Sequence, residues 1–576
     1  MVNKDTNNVT IINHGSIIAN GNSQPFGIHN YGGTIDSITN SGLIAGKIGI
    51  RIEGSNKSVN TINNSGTIMT TKDTNGYGAL IVWEQGSSNH TINNINNSGL
   101  IYNQSTAPGS AAIYIMDGNF GSITNSGIIH SDTGFGAIVL EDLTPTGTTG
   151  NAIINNNGTI IAKKGSGIYL KYGNYSETGG EVSLGSIQLN GGLVAGVDAG
   201  IRIDHNGVVG TTKDDKSPNT NAIDLNNGAV IASATMTKNG DLTLNPNGTA
   251  LQNDGTIKGN INLNNESKII GSILNKNTIT GNITLNGKSY ITSINNGKTI
   301  QGSIDLKDNS QIDTILNKGT IANGITLANK SQIGSINNEG TIEKGIHLDQ
   351  SFISSIENKG TINGDGITLA NESQVGSIIN HEGAKADLDL KNGSIVGSIT
   401  NNGDMTITRD DTSKIGAFNN EGSIKNKFEN KDFMQTFENK QGATLEQGLE
   451  NTGAIGAIDN KGHIAGISNL ANTKTKNNKD KAHIGTIINS GTISHVKMPL
   501  ATLDDTANMD HAYAIYNNGT IDFLYNQANA VINGGINNEG SMNIINHGSI
   551  HNGITNTGTI TLSSNFTPSF KKASEY

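Results

Sequence analysis

A short phrase, written apolar–x–Asn–x–Gly–Thr–Ile or a close variant, recurs from one end of this 576-residue chain to the other. Four of its copies are Ile62–Ile68, Ile123–Ile129, Ile336–Ile342 and Ile554–Ile560. Between Gly255 and Gly442 the glycine of the phrase returns about every 21 residues. A repeat of this length is typical of a solenoid, in which each copy is a structural unit stacked on its neighbour.

One interval of the repeat reads as three short strands. Its strands are Gly281–Leu285, Ser289–Ile294 and Lys298–Ile300, with corners at Asn286–Gly287 and Asn295–Gly297. Alternation of apolar and polar residues is typical of a half-buried strand, and Asn-Gly is typical of a turn. Three strands joined by corners make one coil, and stacked coils pair each strand in parallel with its counterpart. The sequence therefore predicts an all-β fold: a right-handed parallel β-helix of about 20–25 coils, extended as a rod.

Spacing of the repeat divides the chain into three regions. Residues 1–254 carry longer coils with loops, residues 255–442 carry regular coils, and residues 443–576 carry irregular coils and a polar tail. We expect all three regions to belong to the same β-helix.

The residue types of the repeat follow from this geometry. Isoleucine suits an inward column because β-branched side chains pack well on a pleated sheet. Glycine and asparagine tolerate the positive φ of a tight corner, which we expect at the repeat's glycines. Asparagines stacked at equivalent corners are also expected to hydrogen-bond to one another from coil to coil.

Composition excludes several function classes. The chain has 34% hydrophobic and only 15% charged residues, whereas disordered chains are rich in charge and poor in β-branched residues. Its 38 basic and 48 acidic residues leave no basic stripe, and nucleic-acid binding depends on Lys and Arg at phosphates. Because the chain has no cysteine, disulfides and thiolate metal sites are excluded.

The sequence offers no membrane span. No apolar run approaches the roughly 18 residues that a spanning helix needs. The polar start at Met1–Asn8 also lacks the apolar segment of a signal peptide. We therefore expect that, if the protein is secreted, this is a trimmed chain.

No catalytic motif stands out. The chain lacks a Gly-x-Ser-x-Gly, a His-Glu-x-x-His and a P-loop, and its adjacent acidic residues are typical of solvated turns. Arg51 with Glu53 and Arg202 with Asp204 each lie two residues apart on a strand, but about five coils separate the pairs, so they form no single site. The sequence thus predicts a protein that is not an enzyme, with no catalytic residue, no cofactor and no metal site.

The N-terminal half carries an unusual strand in each coil, from Gly49–Glu53 to Gly200–Asp204. Alternation points Ile50 and Ile52, with their equivalents, inward and leaves two outward columns. The first column is Arg51, Ile81, Tyr114, Val139, Tyr169 and Arg202. The second column is Glu53, Trp83, Met116, Glu141, Lys171 and Asp204.

Tyr, Trp, Met and Arg are enriched where proteins bind partners. We therefore predict a ligand-binding surface, the charged–aromatic stripe, made of nine residues: Arg51, Glu53, Trp83, Tyr114, Met116, Tyr169, Lys171, Arg202 and Asp204. The alternative is that these columns are covered by the nearby loops at 142–151 and 172–182 and bind nothing.

With its Ile-Asn-Asn-Ser-Gly-Thr-Ile repeat over roughly residues 9–562, the chain resembles the passenger domains of Gram-negative autotransporters, which are type V secreted surface proteins. The resemblance specifies the fold better than the activity, because adhesins, toxins and proteases all use such passengers. It implies an adhesin at the cell surface or secreted, anchored by a C-terminal membrane β-barrel that this sequence lacks.

The partners that the resemblance implies are a host cell-surface protein or glycan, or the same protein on a neighbouring cell. Host binding and self-association in aggregation or biofilm can coexist. Two alternatives are a vacuolating-toxin-like passenger and a carbohydrate-active β-helix enzyme. A cleft that gathers two or more carboxylates with a basic residue would favour the enzyme.

Overall fold

The computed structural model describes residues 1–563 except 5, 22–24, 54–57, 72–75, 84–89, 117, 142–151, 172–181, 211–220, 472–481 and 496–512. The described residues form 68 strands and no helix. No helix long and apolar enough to cross a membrane is therefore found in this part of the chain. The chain divides into two compact units, residues 1–323 and 324–576.

In each unit, one strand per coil stacks in parallel on its counterpart in the next coil. In the first unit this stack is Val2–Lys4, Phe26–Gly32, Ile48–Ile52, Gly78–Trp83, Ala111–Met116, Gly136–Glu141, Ser166–Lys171, Ala199–Ile203, Thr249–Asn253, Lys268–Asn275, Tyr290–Asn296 and Gln311–Asn317. In the second unit it is Gln332–Asn338, Phe352–Asn358, Gln374–Asn380, Ile395–Asn401, Lys414–Asn420, Phe433–Asn439, Ala454–Asn460, His483–Asn489, Thr520–Asn526, Ser541–Asn546 and Thr559–Leu562.

The remaining strands complete the coils. In the first unit they are Val9–Asn13, Ser16–Ile18, Ile35–Asn40, Leu43–Gly46, Ser58–Asn64, Thr67–Thr70, His90–Asn97, Leu100–Asn103, Gly118–Asn125, Ile128–Ser131, Ile153–Asn156, Thr159–Ala162, Val182–Leu184, Ser186–Asn190, Leu193–Gly196, Gly207–Val209, Asn221–Asn226, Val230–Met236, Leu242–Leu244, Thr256–Ile257, Asn260–Leu263, Thr278–Ile279, Ile283–Leu285, Thr299–Ile300, Ile304–Leu306 and Thr320–Ile321. In the second unit they are Ile325–Leu327, Thr341–Ile342, Ile346–Asp349, Thr361–Ala370, Lys385–Leu390, Asp404–Met405, Ile407–Arg409, Ser423–Ile424, Phe428–Asn430, Thr444–Leu445, Leu449–Asn451, His463–Ile464, Ile467–Asn469, Thr492–Ser494, Ile515–Asn517, Val531–Asn533, Ile536–Asn538, Ser549–His551 and Ile554–Asn556.

The predicted parallel β-helix is confirmed. The first unit stacks twelve coils and the second eleven, which agrees with the predicted number. Isoleucine fills the inward positions, and the column Ile38, Ile62, Ile95, Ile123 and Ile154 is fully buried.

An asparagine ladder runs through the corners of the coils, as the sequence predicts. The amide nitrogen of each asparagine donates to the amide oxygen of its counterpart in the next coil, at 2.7–2.8 Å. The ladder of the first coils consists of Asn13, Asn40, Asn64, Asn97, Asn125 and Asn156. The same amide nitrogen reaches backbone oxygens of the corner, as Asn64 reaches Gly66 at 3.2 Å. Each buried amide is thus satisfied by a neighbour that repeats it.

The ladder changes face along the chain. Asn156 ends a strand that stacks on Ser186–Asn190, where Leu189 takes the place of the asparagine. A second ladder starts at Asn253, on the face of the charged–aromatic stripe, and continues to Asn275 and Asn296 at 2.8 Å. In the second unit a further ladder, on another face, runs from Asn430 through Asn451 to Asn556.

The expected positive φ at the repeat's glycines is wrong for most copies. It holds at Gly192, Gly228, Gly383 and Gly442, whereas glycines such as Gly66 and Gly99 have ordinary φ values. Glycine is needed at these two positions for a different reason, since a Cβ on Gly99 would lie 2.1 Å from the carbonyl oxygen of Gly66. That carbonyl accepts the N–H of Leu100 at 2.8 Å, so the coils cannot move apart without losing the bond.

Positive φ is instead found at the polar corner that precedes the long strand of most regular coils. Examples are Asn265 with Glu266, Asn329 with Lys330, and Asn371 with Glu372. Asparagine visits the left-handed region more readily than other non-glycine residues do. The second residue of each pair carries a charge that this exposed corner leaves in solvent.

Replacing Asn97 with alanine is expected to lower the free energy of unfolding by about 2–4 kcal/mol, because the amides of Asn64 and Asn125 each lose a buried partner. Asn96 is a matched control, since its amide also bonds to an adjacent coil, at 2.9 Å to Asn63, but on the exposed surface. Asn96→Ala is expected to cost less than about 0.5 kcal/mol. Urea unfolding followed by circular dichroism measures both changes, and equal shifts for the two variants would contradict the role of the ladder.

Candidate functional site

The two predicted outward columns exist with the predicted register. Arg51 pairs with Ile81, Ile81 with Tyr114, Tyr114 with Val139, Val139 with Tyr169, and Tyr169 with Arg202. In the second column Trp83, Met116, Glu141 and Lys171 follow one another in the same way. Glu53 and Asp204 lie directly after their strands, at the two ends of the stripe. Strand alternation therefore places all nine predicted residues on one face.

Both columns point outward from the β-helix, but the middle of the first column and Glu141 of the second are buried. Tyr114 is 3% exposed and Tyr169 is 7% exposed, and Ile81 and Val139 are fully buried or nearly so. They form a second small core outside the β-helix, against which Phe26, Trp83, Met116 and Phe135 pack. Large side chains in neighbouring coils, only about 4.8 Å apart, cover one another. The loops proposed as a cover, 142–151 and 172–182, lie outside the described residues except for Val182.

The first end of the stripe is a cation held between rings. The guanidinium of Arg51 lies 4.9 Å from the ring centre of Phe26 and 5.4 Å from that of Trp83. Its charge is paired with Glu53, whose other carboxylate oxygen contacts His29 Nε2 at 2.5 Å. Tyr77 meets the indole edge to face at 4.9 Å. These contacts fix the Trp83 side chain, which remains partly exposed.

The middle of the stripe is a buried carboxylate. Glu141 is 1% exposed, accepts the hydroxyl of Tyr114, and contacts Lys171 Nζ at 2.5 Å. That ammonium also lies 4.8 Å from the ring centre of Phe135. A buried charge is tolerable only when it is paired and hydrogen-bonded, and both conditions are met here.

The far end repeats the arrangement of the first. The guanidinium of Arg202 lies 4.8 Å from the ring centre of Tyr169, and its Nε donates to Asp204 at 3.1 Å. The Tyr169 hydroxyl donates to the other oxygen of Asp204 at 2.7 Å. Burial, together with this hydrogen bond to a carboxylate, raises the pKa of Tyr169. Arg202 is the most exposed charge of the stripe, with 33% of its side chain accessible.

The stripe is therefore a pre-paired surface. The two Arg–carboxylate pairs at its ends do not come together, as expected from the coils between them. Trp83 and Met116 are partly exposed, and with Arg202 they are the residues best placed to touch a partner. Tyr114 and Tyr169 lie beneath this surface, and a ligand cannot reach them without displacing their neighbours. Chemically, the surface offers an indole, a thioether and cations in fixed positions.

His29, Phe26, Tyr77 and Phe135 belong to this site, and sequence reasoning missed them. Phe26 and His29 lie in the strand one coil before Arg51, so the same period would have found them. Tyr77 and Phe135 precede the strands Gly78–Trp83 and Gly136–Glu141, at corners where a strand pattern gives no direction for the side chain.

A neighbouring face of the first unit holds a polar cluster that the sequence did not predict. Asp132 accepts the Tyr102 hydroxyl and contacts Lys163 Nζ at 3.0 Å and His130 Nε2 at 3.1 Å. Burial and the bond to Asp132 raise the pKa of Tyr102 to about 12. Burial lowers the pKa of His130. Burial alone would raise the pKa of Asp132, but the bonds from Tyr102 and Lys163 outweigh it and lower that pKa.

The second unit contains a shallow groove of about 390 Å³. Asp365, Asp387, Asp389, Lys391 and His347 line it. Asp389 is ion-paired with Lys391 and accepts the Thr408 hydroxyl at 2.8 Å. Asp387 accepts the backbone N–H of Thr406 at 3.1 Å. This groove gathers carboxylates with a basic residue, which is the arrangement that would favour an enzyme.

No group of three or more His, Cys, Asp or Glu side chains within the described ranges is arranged to hold a metal ion. The chain matches no protein-family model, no curated protein and no solved structure. Any function must therefore be argued from the sites themselves.

Replacing Glu141 with alanine is expected to lower the free energy of unfolding by about 2–4 kcal/mol, because the Tyr114 hydroxyl and the Lys171 ammonium lose their buried partner. Glu266 is the control: its contact with Lys288 is 3.7 Å long and both side chains are 69% exposed. Glu266→Ala is expected to change stability by less than about 0.5 kcal/mol. Thermal and urea unfolding measure both, and an unchanged Glu141→Ala protein would show that the stripe is not internally braced.

Proposed function

We propose that this protein is an adhesin of the autotransporter-passenger type, which acts at the cell surface or after secretion. Its charged–aromatic stripe would bind a host cell-surface protein or glycan, and the same chain on a neighbouring cell is a further partner. The observation that carries this proposal is the fixed geometry of the stripe, in which Arg51 is held between Phe26 and Trp83 and paired with Glu53.

Fixed side chains favour binding because little conformational entropy is lost when a partner docks. Trp and Arg are also the residues that most often dominate binding energy at protein interfaces. Aromatic faces suit sugar rings and cations alike. The stripe crosses six coils, from Arg51 to Arg202, which corresponds to roughly 24 Å at about 4.8 Å per coil. That span can contact several sugar units or an extended peptide.

The β-helix supports this role by its stiffness. Every coil of the stripe is bonded to its neighbours through backbone pairs, and the asparagine ladder from Asn40 to Asn156 runs through the first five of its six coils. A partner that pulls on the stripe therefore pulls on a cooperative stack. Resistance to force is what attachment of a cell requires.

The triple variant Trp83→Ala, Met116→Ala, Arg202→Ala is expected to lose at least tenfold in binding to epithelial cell monolayers and on a glycan array. These three side chains are partly exposed, and their replacement leaves the buried tyrosines in place. The variant Phe352→Ala, Ile379→Ala, Ile395→Ala is the control, because it removes exposed apolar side chains from the second unit. Unchanged binding by the first variant, with the unfolding midpoint preserved, contradicts a role for the stripe.

The groove in the second unit supports a second candidate, a carbohydrate-active site. Glycoside hydrolysis uses two carboxylates on either side of the bond that is broken, and Asp365, Asp387 and Asp389 supply carboxylates beside Lys391. For this candidate, the full chain should release reducing sugar from a polysaccharide panel, and Asp387→Asn or Asp389→Asn should reduce the rate at least 100-fold. Asp305→Asn is the control, since Asp305 lies outward on an equivalent strand, Ile304–Leu306. Absence of turnover by the unaltered chain excludes the candidate.

A further inference from the structure

The described residues contain one antiparallel pair of strands. Val230–Met236 leaves its place in the coil and pairs with Leu242–Leu244, with Ala234 opposite Leu244, Thr235 opposite Thr243 and Met236 opposite Leu242. The connecting turn is closed by Thr237, whose N–H donates to the Asp241 carbonyl at 2.8 Å. All other described pairings follow the parallel order of the coils, so this hairpin is an addition to the β-helix.

The hairpin has two different faces. Thr235 and Thr243 lie on one face, exposed, with their hydroxyls 3.2 Å apart. Ala234, Met236, Leu242 and Leu244 belong to the other face, since residues opposite each other in an antiparallel pair share a side. Leu242 packs against the alanine cluster of Ala195, Ala232 and Ala234, whereas Met236 is 39% exposed and Leu244 is 42% exposed.

The outer edge of Leu242–Leu244 carries free backbone groups. Hydrogen bonds join Thr237 to Asp241 and Asn245 to Ser233, so the alternation of the ladder makes Thr235 and Thr243 the bonded pair between them. The N–H and C=O groups of Leu242 and Leu244 therefore point away from the hairpin. Among the described strands, Leu242–Leu244 has a pairing with Val230–Met236 alone.

Natural proteins protect such edges with lysine, proline or a bulge. Here Leu242, Thr243 and Leu244 carry none of these, and the charges of the hairpin are confined to its turn, at Lys238 and Asp241. An edge with free backbone groups and apolar side chains is a template for one more strand.

We propose that this edge pairs with the same edge of a second copy of the chain, in antiparallel orientation about a two-fold axis at Thr243. The segment Asp241-Leu-Thr-Leu-Asn245 is nearly the same in both directions, as a two-fold contact requires. Leu242 then faces Leu244 of the second copy and both exchange backbone bonds, which gives four bonds across the axis.

The same register also satisfies the flanking polar residues. Asp241 faces Asn245 of the second copy, whose amide can donate to the carboxylate, so that no two carboxylates meet. The four threonines at positions 235 and 243 form one row across a four-stranded sheet, and the leucines and Met236 form the opposite face. Cross-strand pairs of both kinds stabilise sheets. Because a two-fold axis at the edge relates the two chains in antiparallel orientation, the contact suits chains from two facing cells.

This inference rests on the self-association part of the proposed function, and single cysteines test its geometry. The chain has no cysteine of its own. Thr243→Cys is expected to give a covalent dimer when the purified full chain is oxidised with glutathione, because a non-hydrogen-bonded pair brings the two Cα atoms to about 4.5 Å. Thr235→Cys is the matched control: its counterpart would lie three strands away, at about 14 Å, beyond the reach of a disulfide. Equal cross-linking at both positions, or none at position 243, overturns the proposal.

Introduced charges test the same contact without a covalent bond. Thr243→Lys places two ammonium groups at the axis and is expected to weaken dimerisation at least tenfold in sedimentation velocity, whereas Thr235→Lys should change it less than about twofold. Mixing Thr243→Lys chains with Thr243→Asp chains should restore the dimer. Failure of that rescue overturns the contact. Loss of the dimer with adhesion to epithelial cells intact also separates the two proposals, since the hairpin would then serve self-association alone.

Discussion

The buried side-chain amide at the corner of the coil is the interaction on which the rest of this structure depends. An asparagine in an apolar interior is costly unless its oxygen and its nitrogen both find partners. Within each ladder the asparagine of one coil supplies what the asparagine of the next coil lacks, as Asn64 does for Asn40 and Asn97 for Asn64. The amide therefore stabilises the fold only where the adjacent coils carry asparagine at the same position. This explains why the phrase recurs so often in the chain: a coil that lost its asparagine would leave unsatisfied groups in both neighbours.

The first asparagine of a ladder shows the cost of a buried amide that has no asparagine beneath it. Asn253 begins a ladder over Ile203, and its amide oxygen is buried without a hydrogen-bond partner. Asn430 also begins a ladder, but below it lies Arg409, whose guanidinium donates to the amide oxygen of Asn430 and to the Glu429 carbonyl. Arg409 is 7% exposed, and burial lowers its pKa to about 10. The chain therefore buries an arginine where a ladder starts, and the bonds that it supplies to the corner offset part of its desolvation.

Periodicity could be predicted from the sequence because it repeats locally, whereas the contents of the site depend on neighbours that are distant along the chain. The strand of Tyr290 and the register from Arg51 to Arg202 follow from alternation and spacing alone. The need for glycine at position 99 cannot be predicted in this way, because a side chain there would collide with the carbonyl of Gly66 in the preceding coil. Burial of Tyr114 was missed for the same reason: an outward residue is exposed only if its neighbours above and below are small, and here they are Ile81 and Val139.

The hairpin was not predicted because Leu242–Leu244 has the alternation of any other strand, and sequence patterns do not distinguish an antiparallel partner from a parallel one.

Stacking also determines what kind of surface this fold can offer. Because coils lie about 4.8 Å apart, an outward side chain larger than alanine always meets its counterparts, and charges must be placed so that neighbours pair. The stripe meets this condition by placing rings beside ions: Tyr169 lies between Val139 and Arg202 in its column, and Lys171 faces Phe135. The result is a surface whose charges are already paired within the chain, although the buried Nε of Arg51 has no hydrogen-bond partner. Under the proposed function, a partner would bind through shape and through the exposed rings, since a ligand that relied on the charges alone would have to break the pairs that hold them.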